Sequence, residues 1–276
     1  MKRRDITISL FLVIAAVCTF LSTGFFTTED LPNEYDRTIE QLEYQLGYPQ
    51  IYDTSILLSE TETVASETEP SIHTVYLTFD DGPSARTEEI LDILKEYNIK
   101  ATFFVIYNDR DSAKETLKRA YDEGHTIGVH SASHSYKEIY KDVNSYIADF
   151  EICYNYITDI TGETPSIFRF PGGSINSYNK AVYKDIIIEM ERRGFTYFDW
   201  NVSSDDATKD SSEDKIFSKV VNGCTGRSSS VVLMHDSAPK KDTVSALKRI
   251  IPYLLEQGYV FDKLNENVKP TVFRID

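Results

Sequence analysis

From residue 72 onward, short β-branched or aromatic runs alternate with longer amphipathic stretches, and few folds accept that alternation. Strand-like runs fall at 73–79, 101–106, 126–129, 166–170, 197–202, 230–234 and 259–261. Helical patterns occupy 88–97, 112–123, 136–161, 179–193, 214–221 and 243–257, the first with Ile90, Leu91 and Leu94 on one face. Gly124, Gly162, Gly194 and Gly258 stand where helix C-caps belong. Seven strands and six helices in turn predict an α/β fold, a distorted or incomplete (β/α) barrel of about seven parallel strands. No second domain or internal repeat is visible in this region.

The polar residues of unusual type cluster just past predicted strand ends: Asp80 and Asp81, His130 and His134, Arg169, Asp206 and His235. In parallel α/β folds those ends converge on one face, where active sites form. Taken singly, each has a plain structural reading. Asp80-Asp81-Gly82-Pro83 suits a turn, the histidines suit satisfied core positions, and Arg169 suits an ion pair. Taken together they describe chemistry. Two imidazoles four residues apart and one carboxylate make a three-ligand metal site with an open position. The second carboxylate is then free to act as a base on water. Such ligands favour one divalent ion, zinc first, with cobalt, manganese or iron also fitting. Arg169 can hold a carboxylate in a fixed fork, and Gly172 and Gly173 let backbone N–H groups approach a substrate. His235 can protonate a leaving amine, with Asp206 as the partner that raises its pKa. The chain reads as a metal-dependent hydrolase.

The N-terminus bears on location. After Met1-Lys2-Arg3-Arg4-Asp5, the 23 residues from Ile6 to Thr28 carry no charge. As a helix they would run roughly 35 Å, enough for a bilayer core of about 30 Å. The preceding basic residues put the N-terminus in the cytoplasm and the rest outside. A cleaved signal peptide ending near Ser22-Thr23-Gly24, hence a secreted protein, is the rival reading. Residues 29–71 form an acidic extracellular stalk or linker: from 27 to 72 eleven Asp/Glu face only Arg37, so −10 of the net charge of −15 lies there. The expected organisation is therefore 1–28 basic tip and membrane segment, 29–71 linker, and 72–276 catalytic domain. No basic stripe points to nucleic acid, and no protein partner is implied. Cys153 and Cys224 suit either a disulfide or two buried thiols.

The order Thr78-Phe79-Asp80-Asp81-Gly82, His130-Ser131-x-x-His134, Arg169-x-Pro171-Gly172, Trp200-Asn201-Val202 with Asp206, and Leu233-x-His235 resembles the NodB-homology polysaccharide deacetylases over residues 72–276. With the membrane segment, it is similar to anchored bacterial peptidoglycan N-acetylglucosamine deacetylases. The resemblance implies that Asp80 is the catalytic base, that Asp81, His130 and His134 bind the metal, and that Arg169 orients Asp80. It implies His235 as general acid tuned by Asp206, the Gly172 N–H as an oxyanion donor, Leu233 as the lining for the acetyl methyl, and Trp200 among the substrate-binding residues. The implied substrate is a cell-wall glycan, with N-acetylmuramic acid units, chitin oligomers or acetyl xylan esters as alternatives. An inactive carbohydrate-binding module is the reading from another class. Two departures stand out: many members carry an aromatic residue at the position of Gly172, and a Trp at the position of Ala207.

Overall fold

The computed structural model describes residues 73–274. The expected membrane segment and acidic linker lie outside the described residues. No helix among those described is long and apolar enough to cross a membrane.

Eight strands form one sheet in which every ladder is parallel: β1 (Thr74–Asp80), β2 (Thr102–Ile106), β3 (Thr126–Ser131), β4 (Ile167–Phe168), β5 (Thr196–Tyr197), β6 (Val202–Ser203), β7 (Ser229–His235) and β8 (Val260–Asp262). Their order is β5-β4-β3-β2-β1-β7-β6, and β8 pairs with β1. β1 is the axis of the sheet. β7 runs beside it from Thr74 to Asp80, while its other side is shared, β8 taking Thr74–Tyr76 and β2 taking Thr78–Asp80.

The barrel is open, as its predicted incompleteness allowed. The single strand expected at 197–202 is instead two, β5 and β6, which lie at opposite ends of the strand order. The chain changes edges between them. Phe198 N–H donates to Phe168 O on one side, and Asn201 N–H donates to Val231 O on the other. No backbone ladder pairs β5 with β6, so the chain crosses a seam that hydrogen bonds between strands do not close.

Among the described residues, seven helices accompany the sheet: α1 (Ala85–Glu96), α2 (Asp111–Asp122), α3 (Tyr136–Ile139), α4 (Val143–Thr161), α5 (Tyr183–Arg192), α6 (Glu213–Cys224) and α7 (Lys241–Glu256). Ser84 begins α1 as a capping box with Thr87. The helix expected over 136–161 is broken into α3 and α4, because the Asp142 carboxylate accepts from Ser145 N–H and starts a new helix. The start expected at 179 comes later, since the Asn179 side chain is engaged by the preceding loop. Gly162 does cap α4, with φ 78°.

Side-chain alternation then sorts each strand. Val75, Leu77 and Phe79 of β1, Ile127 and Val129 of β3, Phe168 of β4, and Val232 and Met234 of β7 join the large core cluster. Phe104, Ile167, Phe198, Val231 and Leu264 form a smaller one inside the curled sheet. Residues two apart share a face, so Asp80, His130, Arg169 and His235 turn inward with that second cluster. Gly128 makes room there: a Cβ on it would stand 2.6 Å from the Phe104 ring. Both Cys153 and Cys224 are buried free thiols, so the second of the two cysteine readings holds.

Candidate active site

Arg169 is the centre of the site and is wholly buried. Its Nη1 donates to Asp80 Oδ1 at 2.9 Å and to Thr78 Oγ1 at 2.6 Å. Its Nε donates to Phe198 O at 2.9 Å and its Nη2 to Asp199 O at 3.0 Å. The guanidinium lies 4.3 Å from the centre of the Phe104 ring. The fork expected toward Asp80 is thus one contact, because the other donors go to the Thr78 hydroxyl and to backbone carbonyls at the edge crossing. Asp80 is fixed nonetheless, and its Oδ2 faces His130 Nε2 at 3.9 Å.

Asp81, His130 and His134 converge so that one ligand atom from each lies within 4.8 Å of the others. Asp81 Oδ1 stands 3.6 Å from His130 Nε2 and 3.3 Å from His134 Nε2. That oxygen is buried and has no hydrogen-bond partner, a costly state for a carboxylate unless a cation answers it. The donor set therefore fits a divalent metal. His130 Nδ1 meets Arg169 O at 2.8 Å. A carbonyl only accepts, so Nδ1 carries the proton and Nε2 offers its lone pair. Burial, and then the neighbouring His130, push the pKa of His134 below the usual range, which keeps it a neutral ligand.

The turn between the two histidines is held by a residue that sequence reading passed over. Asp149 on α4 accepts from the Ser131 hydroxyl and from Ala132 N–H and Ser133 N–H, the last two at 2.8 Å. Ser131 Oγ in turn accepts from His134 N–H at 2.9 Å. His134 sits at φ 51° and Asp81 at φ 74°, left-handed conformations for two of the three ligands. A network that over-determines the loop is what keeps such a conformation populated.

His235 lies opposite Asp80 in the β1–β7 register. Its Nδ1 pairs with Asp206 Oδ1 at 2.7 Å, and its N–H donates to Asp206 Oδ2 at 2.8 Å, which also accepts from Thr243. Burial alone would lower the imidazole pKa, but the Asp206 hydrogen bond and charge outweigh it and raise it to about 8. Nε2 is left for a substrate. Leu233, two residues earlier on the same face, is 8% exposed.

The walls are made by glycine and by the C-terminal segment. Gly172 has φ 74°, and a Cβ there would stand 3.1 Å from the Tyr136 hydroxyl. Trp200 lies 5.8 Å from the Arg169 guanidinium and edge-to-face with Phe273 at 4.9 Å, a packing position between the arginine and the C-terminal segment. Asp199 N–H donates to Thr271 O, and its Oδ2 accepts from Phe273 N–H. Its other contacts reach Ser174 N–H and hydroxyl. Behind the first turn, a Cβ on Gly82 would stand 2.1 Å from Asp236 Oδ2.

The polysaccharide deacetylase family model matches residues 67–190. A peptidoglycan-N-acetylglucosamine deacetylase of Bacillus cereus is 33% identical over 196 residues, covering 69% of each chain. This chain belongs to the polysaccharide deacetylase family. The solved catalytic domain of a peptidoglycan N-acetylglucosamine deacetylase from Eubacterium rectale superimposes with a TM-score of 0.70 at 36% identity, over 79% of this chain and all of that one. A polysaccharide deacetylase from Bacillus cereus gives 0.63 at 30% identity, over 72% and 96%.

For this deacetylase, the fold brings together Asp80, Asp81, His130, His134, Arg169, Asp206 and His235. Asp149, Asp199 and Asp236 are further buried or loop-bonding carboxylates that sequence reading missed. Asp149 lies mid-helix and Asp199 in a run read as strand, so neither carries a local signal. Asp236 does follow His235 directly, and its position there was the one available hint.

Proposed function

We propose that this chain hydrolyses the N-acetyl group of glucosamine units in cell-wall peptidoglycan and releases acetate. The observation that carries the reading is an Asp80–Arg169 pair and a His235–Asp206 pair in register on adjacent strands, next to the Asp81–His130–His134 triad. Amide hydrolysis requires a base for the attacking water and an acid for the departing nitrogen, and these pairs offer one of each.

Asp81 through Oδ1, and His130 and His134 through Nε2, would hold the cation, with zinc favoured by the mixed imidazole–carboxylate set. Once bound, such an ion polarises the acetamide carbonyl and lowers the pKa of a water from 15.7 to about 7. Asp80 accepts the proton as water attacks. The Gly172 N–H donates to the developing oxyanion. His235, protonated at Nε2, gives that proton to the amine nitrogen, and Asp206 stabilises the charge before transfer. Leu233 packs the acetyl methyl. The likeness to the Bacillus cereus and Eubacterium rectale proteins supports the peptidoglycan assignment. The uncharged stretch from Ile6 to Thr28 after three basic residues supports anchoring in the cell membrane with the catalytic domain outside, secretion being the alternative.

The test uses full-length protein loaded with zinc beside its Asp80→Asn variant, each incubated with muropeptides and chitooligosaccharides. Mass spectrometry should find deacetylated glucosamine in muropeptides with the parent and none with the variant, which should keep its metal. Metal loss from the variant would exchange the roles of Asp80 and Asp81. A zinc-loaded parent that releases no acetate from any N-acetylated glycan overturns the function.

A further inference from the structure

Beside the metal triad stands a pair of tyrosines that the hydrolytic chemistry does not use. The Tyr136 ring lies 5.2 Å from the His134 ring, and Tyr178 stacks on Tyr136 at 5.1 Å with an interplanar angle of 24°. Tyr178 is 52% exposed. An apolar ring this open is usually either incidental or a contact surface, and three observations favour contact. The pair sits at the mouth of the site, since His134 is itself a ligand of the triad. Its inner ring, Tyr136, also occupies the space over Gly172, whose absent Cβ would lie 3.1 Å from the Tyr136 hydroxyl and 3.3 Å from its Cζ. Last, the rings are held from below. Tyr136 stacks on Tyr140, Tyr140 on Tyr146 and Tyr146 on Phe170, while the Tyr140 hydroxyl donates to Pro171 O at 2.7 Å.

The Tyr178 loop is equally fixed. Tyr178 N–H donates to Asn176 Oδ1, and Asn176 Nδ2 donates to Pro171 O and Gly173 O. A rigid aromatic face loses little conformational freedom on binding. Its negative ring face suits the electropositive C–H hydrogens on one side of a pyranose.

We propose that Tyr178, backed by Tyr136, is the stacking platform for the sugar ring that neighbours the unit being deacetylated. The inference rests on the proposed glycan deacetylation and adds a specificity-determining contact to it. A single acetylated sugar at the triad leaves the platform empty, while a longer glycan covers it. The platform therefore supplies chain-length preference.

Steady-state acetate release from N-acetylglucosamine monomer and tetramer tests this in full-length zinc-loaded protein. Tyr178→Ala is expected to raise KM for the tetramer roughly tenfold, the ratio equivalent to ~1.4 kcal/mol, with little change for the monomer and an unaltered metal content. Tyr178→Phe, which keeps the ring, should restore the tetramer KM. An unchanged tetramer KM in Tyr178→Ala overturns the platform while leaving the deacetylase reading intact. If the parent releases no acetate from these sugars or from muropeptides, that reading fails instead. Tetramer binding by calorimetry to Asp80→Asn, with and without Tyr178→Ala, then decides the platform alone. Weaker binding in the double variant supports it, and equal binding or none in both overturns it.

Discussion

Arg169 serves His130 and Asp80 at once: its carbonyl accepts the His130 Nδ1 proton at 2.8 Å, while its guanidinium holds Asp80 at 2.9 Å. One residue thus orients a metal ligand through its backbone and the proposed base through its side chain. The two functions separate on mutation, because only the second depends on the side chain.

Arg169→Lys is expected to keep metal and lose both stability and rate. A single ammonium cannot reach Asp80, Thr78 and the carbonyls of Phe198 and Asp199 together. Leaving a buried carboxylate short of its partner costs ~3–5 kcal/mol, readable as a lower urea midpoint. A base displaced by ~1 Å loses roughly 10²-fold in turnover, readable in acetate release.

His235→Ala should lower turnover by ~10²–10⁴, the share usual for an acid–base group. The pH profile gives the sharper check. With a pKa raised to about 8, His235 is protonated below that value, so activity falls as pH rises through it. In Asp206→Asn the largest raising influence is gone, leaving burial opposed only by the charges of Asp80 and Asp81, so the alkaline limb moves to lower pH. A limb that stays in place would remove the Asp206–His235 pair from the mechanism.

Asp149→Ala should weaken metal binding by ~10–100-fold without touching a ligand, the usual loss when an outer partner is removed. Three groups of the histidine loop lose their acceptor together. Metal titration with a competing chelator measures the effect, and unchanged affinity would show that the loop keeps its shape unaided.

Gly82→Ala is expected to destabilise the fold by ~1–3 kcal/mol, since the added methyl meets the Asp236 carboxyl deep in the core. That carboxyl also sets a pH dependence. Burial above all raises its pKa from 3.8 to about 7, with the Thr87 hydroxyl opposing and the charges of Asp81 and Asp80 adding. Between those values the folded chain holds a proton that the unfolded chain releases, so stability falls as pH rises across the window. In Asp236→Asn that slope should flatten, as unfolding midpoints at both ends of the window would reveal.

The strand-and-helix alternation was legible because each element buries one face, which leaves a periodic trace. The convergence of Asp80, Asp81, His130, His134, Arg169 and His235 was legible because all of them follow apolar runs. The edge crossing at Phe198–Asn201 was not, since a run such as Tyr197–Val202 looks alike whether it pairs once or changes edges midway. Asp142 hid the break between α3 and α4 in the same way, its cap being a single side chain in an otherwise helical pattern. Asp149 was hidden for another reason: it acts by accepting backbone N–H groups, and any loop residue supplies those.

The Thr271–Phe273 segment, clasped to Asp199, gives order of synthesis a meaning for this molecule. A ribosome delivers both aspartates, both histidines of the triad and Arg169 long before it delivers Phe273. The ion-binding residues therefore all precede the clasp in the chain, and the scaffold around the guanidinium is completed only by a segment 74 residues beyond Asp199.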